Sequence, residues 1–127
     1  MKRLVSAAVC AVAFVASVSS AAASEHLDII ENKFVNGCSY SKFKPVVDDF
    51  NKWAADYGYN ARIALPIQSR SSDSFFWIGT SKDAATFGTA SDAWIAALGD
   101  DKSVPSKLAD RFGDCVENVS RSGYYYF

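Results

Sequence analysis

Residues 60–80 read NARIALPIQSRSSDSFFWIGT. Two apolar runs flank a polar tip, Ser69-Arg70-Ser71-Ser72-Asp73. In the first run Ala61, Ile63, Leu65 and Ile67 alternate with Arg62, Ala64, Pro66 and Gln68. That is the period of a strand with one apolar face. The second run, Phe75-Phe76-Trp77-Ile78, is apolar on both faces. A strand buried on both faces requires cover on each side. The hairpin therefore predicts a sheet with the chain's own helices on one face and a partner on the other.

Upstream of this hairpin, Ser41–Tyr57 has the clearest helical spacing. Phe43, Val46, Val47, Phe50, Trp53, Ala54 and Tyr57 follow the i, i+3, i+4, i+7 rule. Ser39 or Ser41 can cap this helix, Pro45 falls in or near its first turn, and Gly58 ends it. Asp48, Asp49, Lys52 and Asp56 fall on its outer face as solvating charges. Before it, Leu27–Val35 reads as a strand with Ile30, Asn32 and Phe34 on one face, closed by the Asn36-Gly37 turn.

Downstream, Ser81 is a candidate N-cap for a helix over Lys82–Leu98, with Phe87, Trp94, Ile95 and Leu98 on its buried side. Ser103-Val104-Pro105 starts a short further helix that carries Leu108 and Phe112 and ends at Gly113. Glu117–Phe127 closes the chain as a strand ending in Tyr124, Tyr125, Tyr126 and Phe127. The order βαββαβ defines an α+β, ferredoxin-like plan with an antiparallel sheet of order 4-1-3-2.

Residues 1–23 read as a secretory signal peptide. Lys2 and Arg3 precede an apolar run from Leu4 to Val18, and Ala21-Ala22-Ala23 supplies a small-residue cleavage region. Removing 23 of 127 residues leaves 104, one domain spanning 24–127, with no membrane span after cleavage. Basic residues then fall from 13 to 11 against 14 acidic ones. No basic stripe points to nucleic acid. The implied location is the periplasm or the exterior. Two cysteines remain, Cys38 and Cys115. An even pair in an oxidising compartment reads as a disulfide. The plan puts both at one end of the sheet, Cys38 after the first strand and Cys115 before the last.

The helix ending KWAADYGYNARIALPIQS, the hairpin into SFFWIGT and the helix start SKDAATFG resemble the dimeric α/β-barrel superfamily, which includes antibiotic-biosynthesis-type monooxygenases, haem-degrading monooxygenases and stress-response barrels. The resemblance covers most of residues 26–127. It implies a homodimer in which two sheets face each other, and a ligand pocket between each sheet and its own helices. Haem-degrading members use an Asn on the first strand, and Glu31-Asn32-Lys33-Phe34 is similar to that strand. They also use a His on the second helix as iron ligand, and no His follows His26. No cofactor and no metal site is expected.

The cofactor-independent monooxygenases of this group oxidise aromatic substrates and need polar groups and a Trp inside an apolar pocket. The resemblance makes Asn32, Arg62 and Trp77 the ligand-binding candidates. Asn32 would bond a substrate oxygen, Arg62 would stabilise an anion, and Trp77 would form a stacking wall. Each also has a plain structural reading: Trp77 as core or dimer interface, Arg62 as a solvated strand residue, Asn32 as a partner for backbone groups. His26 reads as a frayed surface residue. The leading expectation is a domain binding an apolar or aromatic small molecule. The alternatives are a cofactor-independent monooxygenase and a purely structural or interaction protein of the envelope. The catalytic residues, if any, are not identified by the sequence.

Overall fold

A computed structural model describes residues 24–70 and 73–127; residues 1–23, on which the signal-peptide expectation falls, lie outside them. The elements are β1 (Glu25–Phe34), α1 (Tyr40–Ala54) continued by a 3-10 turn (Ala55–Tyr57), β2 (Tyr59–Ala64), β3 (Ser74–Ser81), α2 (Ala84–Ala97), α3 (Val104–Cys115) and β4 (Val116–Tyr126). The four strands form one antiparallel sheet of order β2-β3-β1-β4. This is the expected ferredoxin-like topology. Among the described residues, no helix is long and apolar enough to cross a membrane.

Burial follows the strand period. Asp28 and Asn32 on β1, Tyr59 and Ala61 on β2, and Phe75 and Trp77 on β3 face the helices and are buried. From α1, Phe43, Val46, Val47, Phe50 and Ala54 meet them. Gly58 ends the 3-10 turn with a positive φ of 68°, a conformation that glycine adopts without a Cβ penalty. The opposite sheet face carries Leu27, Ile29, Phe76, Ile78 and Tyr124, with Phe76 37% exposed.

The cysteines meet as expected. Cys38 and Cys115 are disulfide-bonded across a sequence separation of 77. Beside them Val35 N–H donates to the Cys115 carbonyl at 3.0 Å, and Asn36 Nδ2 donates to the Asp114 carbonyl at 3.1 Å. The end of β1 and the start of β4 are thus joined covalently and by hydrogen bonds from one backbone and one side-chain donor.

Five expectations need correction. The first central strand stops at Ala64, so Leu65 and Ile67 are exposed rather than on its apolar face. Pro66 has no N–H to continue the ladder. Asp83 rather than Ser81 caps α2, accepting from Thr86 N–H at 2.7 Å, because β3 extends through Ser81. On α2 the inward stripe is Phe87, Ala90 and Trp94, which leaves Ile95 and Leu98 exposed. The third helix runs through Gly113 to Cys115, its N-terminus capped by Ser103. His26 is not frayed: it lies in β1, half-buried, with its ring stacked on Phe87 at 4.2 Å.

Candidate functional site

Between the helices and the sheet lies a cavity of about 250 Å³. Its walls are largely aromatic. Phe50 from α1 meets Trp77 from β3 at 4.8 Å in a T-shaped contact, Trp53 meets Trp94 at 5.3 Å, and Trp77 meets Phe112 at 5.5 Å. Edge-to-face pairing of this kind holds rings firmly while leaving π-faces available. The cavity opens where lining residues become exposed: Asn118 and Arg121 on β4 and Ile95 on α2.

One wall is polar and closed on itself. Tyr59, the first residue of β2, carries its hydroxyl across Gly79 to the core face of β1. There it donates to Asp28 Oδ2 at 2.8 Å and accepts from Trp77 Nε1 at 2.8 Å. Arg121 reaches the same carboxylate from β4, Nε to Oδ1 at 2.7 Å and Nη2 to Oδ2 at 2.8 Å. Asp28 is only 2% exposed, so its charge is supported by these three donors.

The titration behaviour follows from this geometry. Burial, with the Asp28 charge adding to it, pushes the Tyr59 phenol well above its ordinary value. The hydrogen bonds to Asp28 raise the Arg121 guanidinium further. Arg121 also lies 5.8 Å from the centre of the Phe87 ring, a cation–π distance. Among the described residues, no three His, Cys, Asp or Glu side chains come together to hold a metal.

Asn32 and Trp77 both line the cavity. Asn32 is buried, its Nδ2 donating to the Ile30 carbonyl at 2.9 Å, and it stands opposite Asn118 across the β1–β4 pair. Arg62 does not join them. It pairs with Ile78 in β2–β3, on the sheet face opposite Trp77, and is exposed. Period-2 alternation puts Ala61 and Ile63 inward and therefore Arg62 outward. The guanidinium of the cavity is Arg121.

Sequence reasoning missed Asp28, Tyr59 and Arg121. Asp28 was within reach, since it shares the period-2 face of Ile30, Asn32 and Phe34. Arg121 was not. Its inward placement depends on the β1–β4 register, which shifts between Glu31 and Asn32.

No protein-family model matches the chain, and no curated protein matches it. Solved structures do. PA3566 from Pseudomonas aeruginosa is 12% identical over 84% of this chain and 97% of its own, with a TM-score of 0.53. The hydroxynitrile lyase of Passiflora edulis is 14% identical over 82% of this chain and 94% of its own, with a TM-score of 0.52. SnoaB, a cofactor-independent oxygenase from Streptomyces nogalater, is 15% identical over 80% of this chain and 92% of its own, with a TM-score of 0.48. The first two likenesses show the fold, a ferredoxin-like α+β unit, and the fold alone.

Proposed function

We propose that this protein is a non-catalytic binding domain of an oxidising compartment that holds a small aromatic molecule between its sheet and its helices. The observation that carries this reading is the aromatic cavity of about 250 Å³ closed on one side by the Trp77–Tyr59–Asp28–Arg121 chain. Drug-sized ligands occupy pockets of roughly 300–1,000 Å³, so this volume suits one or two fused rings. A general acid or base needs a proton it can exchange near working pH. Tyr59 is pushed up out of that range, and Arg121 is held charged by Asp28. That argues for holding a ligand rather than transforming it. A cavity of this kind also argues against a purely structural role. The Cys38–Cys115 disulfide supports the oxidising compartment.

The same reading takes the protein as a homodimer through the sheet face of Leu27, Ile29, Phe76, Ile78 and Tyr124. Four strands spaced about 4.8 Å apart and some eight residues long offer roughly 500 Å² per copy. Two such faces reach the approximately 1,000 Å² at which stable interfaces begin. Native mass spectrometry of the mature chain purified from an oxidising compartment tests both parts. The expected result is a dimer carrying aromatic small-molecule mass. An empty protein that also takes up no aromatic probe would sink the binding reading.

A cofactor-independent monooxygenase remains the second reading, favoured by one observation: Asn32 and Trp77 share the cavity. Oxygen uptake during aerobic incubation with dihydroxynaphthalenes decides it. Uptake abolished by Asn32→Ala and retained in Arg62→Ala would establish the enzyme, and no uptake excludes it for that substrate class.

A further inference from the structure

The cavity is lined by one carboxylate and one guanidinium, and they belong to each other. Asp28 and Arg121 meet through two parallel bonds of 2.7 and 2.8 Å. An anion drawn to Arg121 meets the Asp28 carboxylate on the same fork, so attraction and repulsion nearly cancel. The anion would still lose its water. An organic cation meets the converse arrangement, because Asp28 already accepts from Tyr59 and from two nitrogens of Arg121.

Capacity for neutral groups remains. Arg121 Nη1 has no hydrogen-bond partner among the described residues, and Asn32 and Asn118 stand opposite each other across β1 and β4. A guanidinium N–H donates to a carbonyl or hydroxyl oxygen, and a carboxamide both donates and accepts. These groups sit around aromatic walls that take a flat ring system. Resting on the binding reading above, we propose that the cavity selects uncharged aromatic molecules bearing a carbonyl, amide or hydroxyl group, and that the Asp28–Arg121 pair is the determinant that rejects aromatic acids and amines.

The test uses three probes of one shape: 2-naphthamide, 2-naphthoate and 2-naphthylmethylammonium. Each is titrated into the disulfide-bonded protein at neutral pH by calorimetry, with tryptophan fluorescence as a second readout. The wild type should bind the amide at least about tenfold more tightly than the acid or the amine, in line with the cost of desolvating a charge that gains no counter-ion of its own. Asp28→Asn uncovers the guanidinium and should tighten 2-naphthoate about tenfold relative to 2-naphthamide. Arg121→Gln is the mirror variant and should tighten the amine instead, so the proposal stays open to refutation if one variant does not fold. Equal or tighter binding of the acid by wild type would overturn the selectivity and leave the cavity reading standing. Unchanged selectivity in both folded variants would overturn the role of the pair. No binding of any probe would remove the cavity reading itself.

Discussion

The hydroxyl of Tyr59 occupies the space in which a Cβ on residue 79 would stand: a methyl group built on Gly79 falls 1.8 Å from it. Glycine at this position lets the Tyr59 ring cross β3 and reach Asp28 on β1. Gly79→Ala should therefore expel the ring and break the bonds that Tyr59 makes with Asp28 and Trp77. The expected loss is about 2–3 kcal/mol in urea unfolding, the cost of orphaning buried polar groups. In a Tyr59→Ala background the same substitution should cost less than half as much. An unchanged cost would show that the crossing is not what glycine serves.

Alkaline stability should report the same phenol. The folded state holds the Tyr59 pKa above its ordinary 10.0. The folded protein thus retains a proton that the unfolded chain gives up. The stabilisation is complete below pH 10.0 and is lost as pH rises beyond it, by about 1.4 kcal/mol per pH unit. Tyr59→Phe should flatten this alkaline limb in denaturant titrations at stepped pH. A wild-type limb no steeper than that of the variant would contradict the burial argument.

At the acid end, Asp83 contributes in the opposite sense. Hydrogen bonding from Thr86 at the start of α2 lowers its pKa below 3.8. The stabilisation is present above pH 3.8 and is lost as pH falls through the depressed value. Asp83→Asn should leave neutral-pH stability little changed, since Asn caps helices nearly as well, and should remove part of the acid-induced fraying of α2. Hydrogen exchange of the Thr86 and Phe87 amides is the readout. Equal acid sensitivity in variant and wild type would count against it.

The covalent tie between Cys38 and Cys115 closes a long loop. Replacing both residues with Ser should cost about 2–4 kcal/mol, and treatment with a strong thiol reductant should reproduce the loss in the wild type. Thermal unfolding with and without reductant measures it. A Tm insensitive to both changes would mean that the hydrogen bonds beside the bridge suffice.

Phe76 stands near the middle of the apolar sheet face and is 37% exposed in the single chain. If that face joins two copies, Phe76→Asp should convert dimer to monomer in light scattering while the fluorescence of the cavity tryptophans stays unchanged. A dimer that survives the charge places the interface elsewhere.

The path from sequence to site was uneven for physical reasons. Phe43, Val46, Val47 and Phe50 announce α1 because a helix repeats locally, and all four are buried. The topology followed from element order, and the Cys38–Cys115 pair agreed with it. Alternation put Asn32 on one face with Ile30 and Phe34, but the run Phe75–Ile78 is apolar on both faces, so only the structure settles that Trp77 turns toward the helices. Arg62 was assigned by the chemistry it could offer, although alternation with Ala61 and Ile63 already turned it outward. Arg121 became visible only with the strand register, because the shift between Glu31 and Asn32 reverses the inward and outward positions of β4 beyond it. Tyr59 was hidden differently: its role depends on a missing side chain at Gly79, two positions from Trp77, and no periodicity reports an absence.

The position of β4 at the border of the sheet has a consequence for handling the protein. It is eleven residues long, and among the described residues it pairs only with β1 and leaves its other side as a row of backbone donors and acceptors without strand partners. Beyond Arg121 the chain reads Ser-Gly-Tyr-Tyr-Tyr-Phe, with no charged side chain and no proline to interrupt stacking. Glu117, Arg121 and the irregularity opposite Glu31 and Asn32 are what discourage a second chain from adding to this edge. The disulfide anchors the strand at its first turn, so chains that lose the bridge should be the ones that seed fibrils.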